Sequence, residues 1–394
     1  MASSRNVVFM GVIALAVAMG VGRFAFTPML PLMLRDGALN AAMGAEWAAV
    51  NYGGYLAGAL SAAWFARRLY TGLVAGLLGV VVSTLAMALS DPSLPWLGAV
   101  LRGVAGVCSA WVLVCASSWC LPELARRGSR SGGWIYTGVG SGIAVTGALA
   151  WLGGRQTAQI LWIELGLLAL VGTVYVLQQW RAETATTQGS GASTVATPPI
   201  LAQETKGTWG LIVCYGVFGY GYIVPATFLP TMARELVEDP LVFGLTWPIF
   251  GSAAALSVAA AARWMAPWPR RKVWALAQAT MAVGTLIPLL QQSLWALTMS
   301  AVLVGGTFMV ATMAGLQLAR EKMPANPTRL LSRMSVGFAT GQIAGPVWVR
   351  LMGGMGMAQP VALWWANAMA TAVLIVTALW LWRGEGLHAK GEGA

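Results

Sequence analysis

Two segments of this chain, residues 20–36 and 219–235, are similar at a constant offset of 199 positions. The matched pairs are Gly20 and Gly219, Gly22 and Gly221, Leu30 and Leu229, Pro31 and Pro230, Met33 and Met232, Arg35 and Arg234, and Asp36 and Glu235. Because the offset is about half of the 394 residues, the second half of the chain is predicted to be a diverged copy of the first. The copies differ at one charged position, where Arg23 corresponds to Tyr222.

The composition decides the solvent in which these halves fold. Hydrophobic residues make up 58% of the chain and charged residues 9%, with a mean hydropathy of +0.70. A soluble domain carries roughly 25% charged residues, so this chain has too few to cover a surface that faces water. The apolar runs are long enough for membrane helices, and we therefore predict an all-α integral membrane protein. Repeated halves in such a chain are typical of a transporter.

The sequence predicts twelve membrane spans with both termini in the cytoplasm. They lie at about 7–34, 44–66, 70–90, 95–121, 131–154, 157–180, 207–233, 242–264, 272–291, 293–319, 330–353 and 359–382. On this assignment 18 of the 24 Lys and Arg residues are on the inner side and four on the outer side. Such a bias is the positive-inside rule, and it predicts a multi-pass protein of the bacterial inner membrane. The net charge of +11 thus reflects topology rather than nucleic-acid binding.

The spans divide into two groups of six. We predict an N-terminal bundle over 1–181, a flexible cytoplasmic linker over 182–206 and a C-terminal bundle over 207–394 that ends in a short tail. Two equivalent spans carry small residues at every fourth position, which lets helices approach closely. These rows are Gly138, Gly142 and Thr146, and Gly337, Gly341 and Gly345. We expect the two helices that carry these rows to lie where the two halves move against each other.

Three stretches of sequence resemble a known family. They are Gly20-Val21-Gly22-Arg23-Phe24-Ala25-Phe26-Thr27-Pro28, Leu30-Pro31 and Asn51-Tyr52-Gly53-Gly54-Tyr55-Leu56. With twelve spans and a polar central linker, they make the chain similar to the YbfB/YjiJ-type branch of the major facilitator superfamily. The resemblance implies two pseudo-symmetric six-helix bundles that work as a monomer. One departure is the loop at 64–70, which keeps its arginines but lacks the aspartate usual in that superfamily.

Three charged residues fall well inside predicted spans, away from the span ends, where charge is costly and marks a cavity or a partner. They are Arg23, Arg102 and Glu164. The resemblance places spans one and four on the central cavity, so Arg23 and Arg102 are predicted to bind an anion, which guanidinium groups hold bidentately. In the alternative, both arginines cap backbone carbonyls freed by glycine and proline. Glu164 is expected to serve charge pairing or, less simply, proton coupling.

Neutral polar and aromatic side chains are predicted to complete the substrate site. The candidates are Asn51, Tyr55, Trp111, Tyr136, Tyr222 and Gln342. For each, the alternative role is packing or hydrogen bonding between helices. We predict no metal, no cofactor and no catalytic residue, because the one histidine, His388, lies in the tail and no nucleotide-binding loop is present.

These features predict a secondary transporter that moves a small organic anion by alternating access. Antiport, uniport and proton symport all fit, because Glu164 is the one interior carboxylate. The alternative is an exporter of neutral hydrophobic compounds, in which the buried arginines are structural. A membrane-embedded enzyme or a receptor would need converging catalytic groups or an output domain. The expected partners are the substrate, membrane lipid and, for proton symport, protons, with no nucleic acid.

Overall fold

The computed structural model describes residues 4–384 except 66–67, 92, 130, 188–207, 238, 240–243, 266 and 324–326. Twelve helices are described: α1 (Ser4–Arg35), α2 (Ala41–Ser61), α3 (Leu69–Ala86), α4 (Pro95–Arg126), α5 (Thr137–Leu152), α6 (Ala158–Thr187), α7 (Thr208–Leu236), α8 (Thr246–Trp264), α9 (Arg270–Leu290), α10 (Leu294–Lys322), α11 (Pro327–Gly354) and α12 (Gln359–Arg383). Short 3₁₀ turns extend α2 and α3 and precede α5 at Ser131–Tyr136.

The predicted fold is confirmed, because each predicted span corresponds to one helix. Nine of the described helices are long and apolar enough to cross a membrane. The predicted linker at 182–206 falls largely outside the described residues, although α6 continues to Thr187. The bundle boundaries therefore remain predictions.

Helix α1 changes its winding in the middle. Its ends, Ser4–Leu15 and Phe26–Arg35, are α-helical, and the segment between them, Ala16–Phe24, is a π-helix. A π-helix bonds i to i+5 and is rare, occurring mostly as single turns at functional sites. This π-helical segment is nine residues long, which is unusual. Because its hydrogen bonds join residues five apart, its backbone carbonyls point in directions different from those of the α-helical turns on either side.

The two halves meet along three helix pairs, α1 with α7, α2 with α11 and α5 with α8. The first contact joins positions that the repeat makes equivalent: Thr27 Oγ1 donates to the carbonyl of Ala226 at 2.8 Å, and the two residues are 199 positions apart. The hydroxyls of Tyr52 and Thr227 lie 2.8 Å apart at the same level. An exposed ion pair between Glu46 and Arg350 also joins the halves near the predicted outer side. The halves are thus closed against each other at this end.

The glycine rows pack within each half. A Cβ at Gly138 or Gly142 would meet the backbone of α1, and one at Gly341 would meet the backbone of α7. Each row therefore joins helices of the same half, while α5 and α11 themselves lie against the other half, as expected for these two helices. Other faces of these helices make that contact: a Cβ on Gly140 would lie 2.4 Å from the nitrogen of Ala255. A four-residue period marks a close-packed face but does not say which neighbour it meets.

Gly251 of α8 provides a test of this contact between the halves. A Cβ there would lie 2.2 Å from the nitrogen of Ala144 on α5, so the two backbones must separate to admit it. We expect Gly251→Ala to lower the free energy of unfolding by about 1–3 kcal/mol, measured by thermal unfolding in detergent. Gly53→Ala is the matched control, because a Cβ at Gly53 has nothing within 4 Å. Equal melting temperatures for the two variants would contradict the close contact.

Candidate functional site

Arg23 lies at the centre of the contact between the halves. It is in the last turn of the π-helical segment of α1 and is only 3% exposed. One terminal nitrogen of its guanidinium donates to Gln342 Oε1 on α11, and Gln342 Nε2 in turn donates to the hydroxyl of Tyr222 on α7. The chain of bonds therefore links Arg23 to Tyr222, the residue that occupies the same position in the second repeat.

Aromatic rings surround the rest of the Arg23 guanidinium. Its central carbon is 4.0 Å from the ring centroid of Tyr55 and 5.5 Å from that of Tyr52, both on α2. Phe24 is at 5.2 Å. Cation–π attraction is stronger where water is excluded, so these rings offset part of the cost of burying the charge.

No carboxylate neutralises Arg23 within the described residues. Three charged side chains are buried there, Arg23, Arg102 and Glu183, and Glu183 pairs with Arg127 at 2.7 Å near the other end of the helices. The Nε of Arg23 is buried and has no hydrogen-bond partner. A buried guanidinium that lacks an anion and has a free donor is a site of strong positive potential, because low dielectric strengthens its field.

Arg102 of α4 contacts the backbone of α1. Its two terminal nitrogens donate to the carbonyls of Gly22 and Arg23, at 3.1 and 2.9 Å. Both carbonyls belong to the π-helical segment, and Asn51 Nδ2 donates to the carbonyl of Arg102 at 2.7 Å. Asn51 and Arg102 therefore hold the backbone on which Arg23 is mounted. Their contacts are those of the capping alternative considered above.

Three stacked aromatic rings lie next to Gln342. The ring of Tyr222 lies between Phe308 of α10 and Phe338 of α11, with centroids 5.2 and 5.6 Å away and each ring inclined by 8°. Neither phenylalanine was among the predicted site residues. Both are ordinary apolar residues of apolar helices, and the sequence holds no signal that separates them from the packing core.

The remaining predicted residues lie elsewhere or make no contact with Arg23. Trp111 donates to Ser61 Oγ at 2.9 Å and meets Phe65 edge to face at 5.0 Å, all within the first half. The hydroxyl of Tyr136, at the end of its 3₁₀ turn, makes no hydrogen bond in the described part of the chain. Glu164 is half-buried on α6, and the predicted charge pairing is not found among the described residues.

Tyr52 is a site residue that the sequence argument missed. Tyr52 belongs to the segment that resembles the family, where it follows Asn51, but it is not among the predicted site residues. Asn51 and Tyr55 are four residues apart and therefore share a helix face. Residue 52 is three before Tyr55 and shares that face equally well, so the same rule could have found it.

Twelve helices in two repeated halves, with a buried arginine where the halves meet, define a membrane transporter of the major facilitator type. The chain belongs to the family described as "Uncharacterised MFS-type transporter YbfB", which it matches over residues 15–382. No curated protein matches the sequence.

Solved structures with the same fold include two transporters. The nucleoside transporter NupG superposes with a TM-score of 0.70 at 12% identity, covering 97% of this chain and 100% of that one. The POT family transporter PepTSo superposes with a TM-score of 0.71 at 12% identity, covering 98% and 99%. At this identity the likeness shows the fold alone.

Proposed function

We propose that this protein is a secondary transporter of a small organic anion and that Arg23 binds the anion's carboxylate. The observation that carries the proposal is the buried guanidinium of Arg23, which has an unused donor and, within the described residues, no carboxylate partner. An anion that enters would supply the missing negative charge. A charge-assisted pair of this kind is stronger than a neutral hydrogen bond.

The bond between Arg23 and Gln342 suggests how binding drives transport. A carboxylate that bridges Nε and a terminal nitrogen of Arg23 replaces Gln342 Oε1 as the acceptor. Because Gln342 belongs to the second half and Arg23 to the first, the substrate competes with a contact between the halves. We propose that residues 1–181 and 207–394 rock against each other as this contact breaks and reforms. A ligand shifts such an equilibrium only by its differential affinity for the two states.

The surroundings of Arg23 favour a monocarboxylate with an apolar body. Both terminal nitrogens of Arg102 already donate to backbone carbonyls and only its Nε lacks a partner among the described residues, so Arg102 cannot hold a second carboxylate bidentately without giving up those bonds. A second carboxylate would be buried without a partner, at a high desolvation cost. The rings of Tyr55, Tyr222 and Phe338 offer apolar surface to the rest of the molecule.

The second candidate function is export of neutral hydrophobic compounds. The observation that favours it is that Gln342 already accepts a bond from Arg23, beside the stacked rings of Phe308, Tyr222 and Phe338. In that case Arg23 fastens the halves together and the rings bind the cargo.

A thermal-shift panel separates the two candidates. The purified protein in detergent is titrated with benzoate, with phthalate and with benzamide, which have one, two and no negative charges on similar rings. We expect benzoate alone to raise the melting temperature, by mass action on the folded state, in proportion to the logarithm of its concentration. Stabilisation by benzamide as strong as by benzoate would overturn the anion proposal and support the neutral exporter.

The setting that we propose for this activity is the bacterial inner membrane, with both termini cytoplasmic and the protein working as a monomer. The support is the excess of Lys and Arg on one side of the predicted spans. Protons remain candidate co-substrates, with the half-buried Glu164 as the residue to test.

A further inference from the structure

A cavity opens in the C-terminal half at the C-terminal end of α7. It has a volume of about 390 Å³ and lies among the ends of α7, α9 and α12. Apolar side chains, among them Met232, Leu363 and Trp364, form most of its wall, and its polar residues are Glu235, Gln292 and Asn367. Its size is within the range of small-molecule sites. None of its residues belongs to the Arg23 site.

The repeat provides a comparison for Glu235. Its counterpart Asp36 lines a similar cavity of about 450 Å³ in the first half. Asp36 is fully engaged there: it accepts from Arg35 Nε at 2.7 Å and from the backbone nitrogen of Ala158, the first residue of α6, at 2.7 Å. A carboxylate in that position neutralises the positive end of the helix dipole.

Glu235 makes neither of the two contacts that Asp36 makes in the first half. The helix that corresponds to α6 is α12, and it begins with Gln359 and Pro360, so one of its first backbone groups has no N–H to donate. Within the described residues, Glu235 makes no ion pair and no side-chain hydrogen bond. It is exposed at the mouth of the cavity, and its carboxylate is available to a ligand.

Asn367 presents a second acceptor deeper in the cavity. It is 1% exposed, and its Nδ2 donates to the carbonyl of Leu363 at 3.0 Å. Its Oδ1 is buried and has no partner. A buried carbonyl oxygen without a donor costs free energy, which a ligand N–H would recover. Trp364, also in the wall, adds a ring face that attracts cations.

We propose that this cavity binds a primary ammonium group attached to an apolar body. Glu235 pairs with the charge, Asn367 Oδ1 accepts one of its N–H groups, and the apolar wall covers the body. An ammonium group has three donors and no acceptor, and this matches the two acceptors without a partner among the described residues, the Glu235 carboxylate and Asn367 Oδ1. The same chemistry is found in soluble alkylamines and in the headgroup of phosphatidylethanolamine.

Calorimetric titration of the full-length protein in detergent tests this site, with hexylamine as the probe and hexanol as the neutral match. We expect hexylamine to bind and Glu235→Gln to weaken it by about tenfold, as loss of a charge-assisted hydrogen bond requires. Asp36→Asn is the matched control from the equivalent cavity and is expected to leave hexylamine binding unchanged. Asn367→Leu should weaken it as well. Equal affinity of the wild type and Glu235→Gln, or equal binding of hexanol, would overturn the proposal.

Native mass spectrometry from nanodiscs identifies the source of the ammonium group. Retention of phosphatidylethanolamine over phosphatidylcholine, lost in Glu235→Gln, assigns the site to lipid. Binding of hexylamine without that selectivity assigns it to soluble amines. Arg23→Gln is expected to leave both results unchanged, so this site can fail independently of the anion site.

Discussion

Arg23→Gln is expected to abolish transport of the anion while leaving a folded, membrane-inserted protein. The substitution removes the guanidinium that we propose pairs with the carboxylate, and such a pair contributes about 3 kcal/mol, or on the order of 100-fold in affinity. Glutamine is two bonds too short to reach Gln342, but other contacts between the halves, such as that of Thr27 with the Ala226 carbonyl, remain. Uptake of benzoate into proteoliposomes and its thermal shift measure the two effects separately.

Arg23→Lys is the control for charge. Lysine keeps the positive charge but loses the planar fork, and we expect it to bind carboxylate more weakly than arginine and more tightly than glutamine. A wild-type rate in Arg23→Gln would show that the arginine only fastens the halves. Misfolding of both variants, with no rescue by ligand, would show that its role is structural.

Arg102→Met should give the opposite result, a protein that fails in stability. The substitution leaves the carbonyls of Gly22 and Arg23 buried without donors, at about 1–3 kcal/mol each. We expect a loss of about 4 kcal/mol in the free energy of unfolding, visible as a lower melting temperature and lower yield after membrane insertion. Arg102→Lys has one ammonium group for two carbonyls. Its free energy of unfolding is expected to lie between those of the wild type and Arg102→Met.

One result for Arg102→Met would contradict a purely structural role for Arg102. If Arg102→Met folds with an unchanged melting temperature but no longer binds benzoate, Arg102 contacts the substrate and the anion site has two arginines. In that case dicarboxylates such as phthalate become the better ligands, and the thermal-shift panel would show it.

The sequence predicts the fold well because its signals are long and redundant. Hydropathy, loop charge and the repeat at residues 20–36 each point to twelve helices in two halves. Arg23, Tyr222 and Gln342 could also be chosen in advance, since polar groups are rare in these helices. Their connection could not, because it depends on how α1, α7 and α11 approach one another.

The role of Arg102 shows where sequence reasoning stops. Its partners are carbonyls of the π-helical segment 16–24, and no residue pattern there distinguishes a π-helix from an α-helix. The sequence therefore does not distinguish an Arg102 that binds the substrate anion from an Arg102 that donates to backbone carbonyls. Phe308 and Phe338 were missed for a related reason, since apolar residues gain a role only from their neighbours.

The link from Arg23 through Gln342 to Tyr222 also bears on how such a chain could arise by duplication. In a symmetric dimer of identical halves, position 23 of each subunit would carry arginine, and two guanidinium groups would face each other across the axis. Their repulsion would be costly in so dry a place. Fusing the halves into one polypeptide lets one copy of the position change to tyrosine while the other stays arginine. The pseudo-twofold axis between the halves then carries a single positive charge.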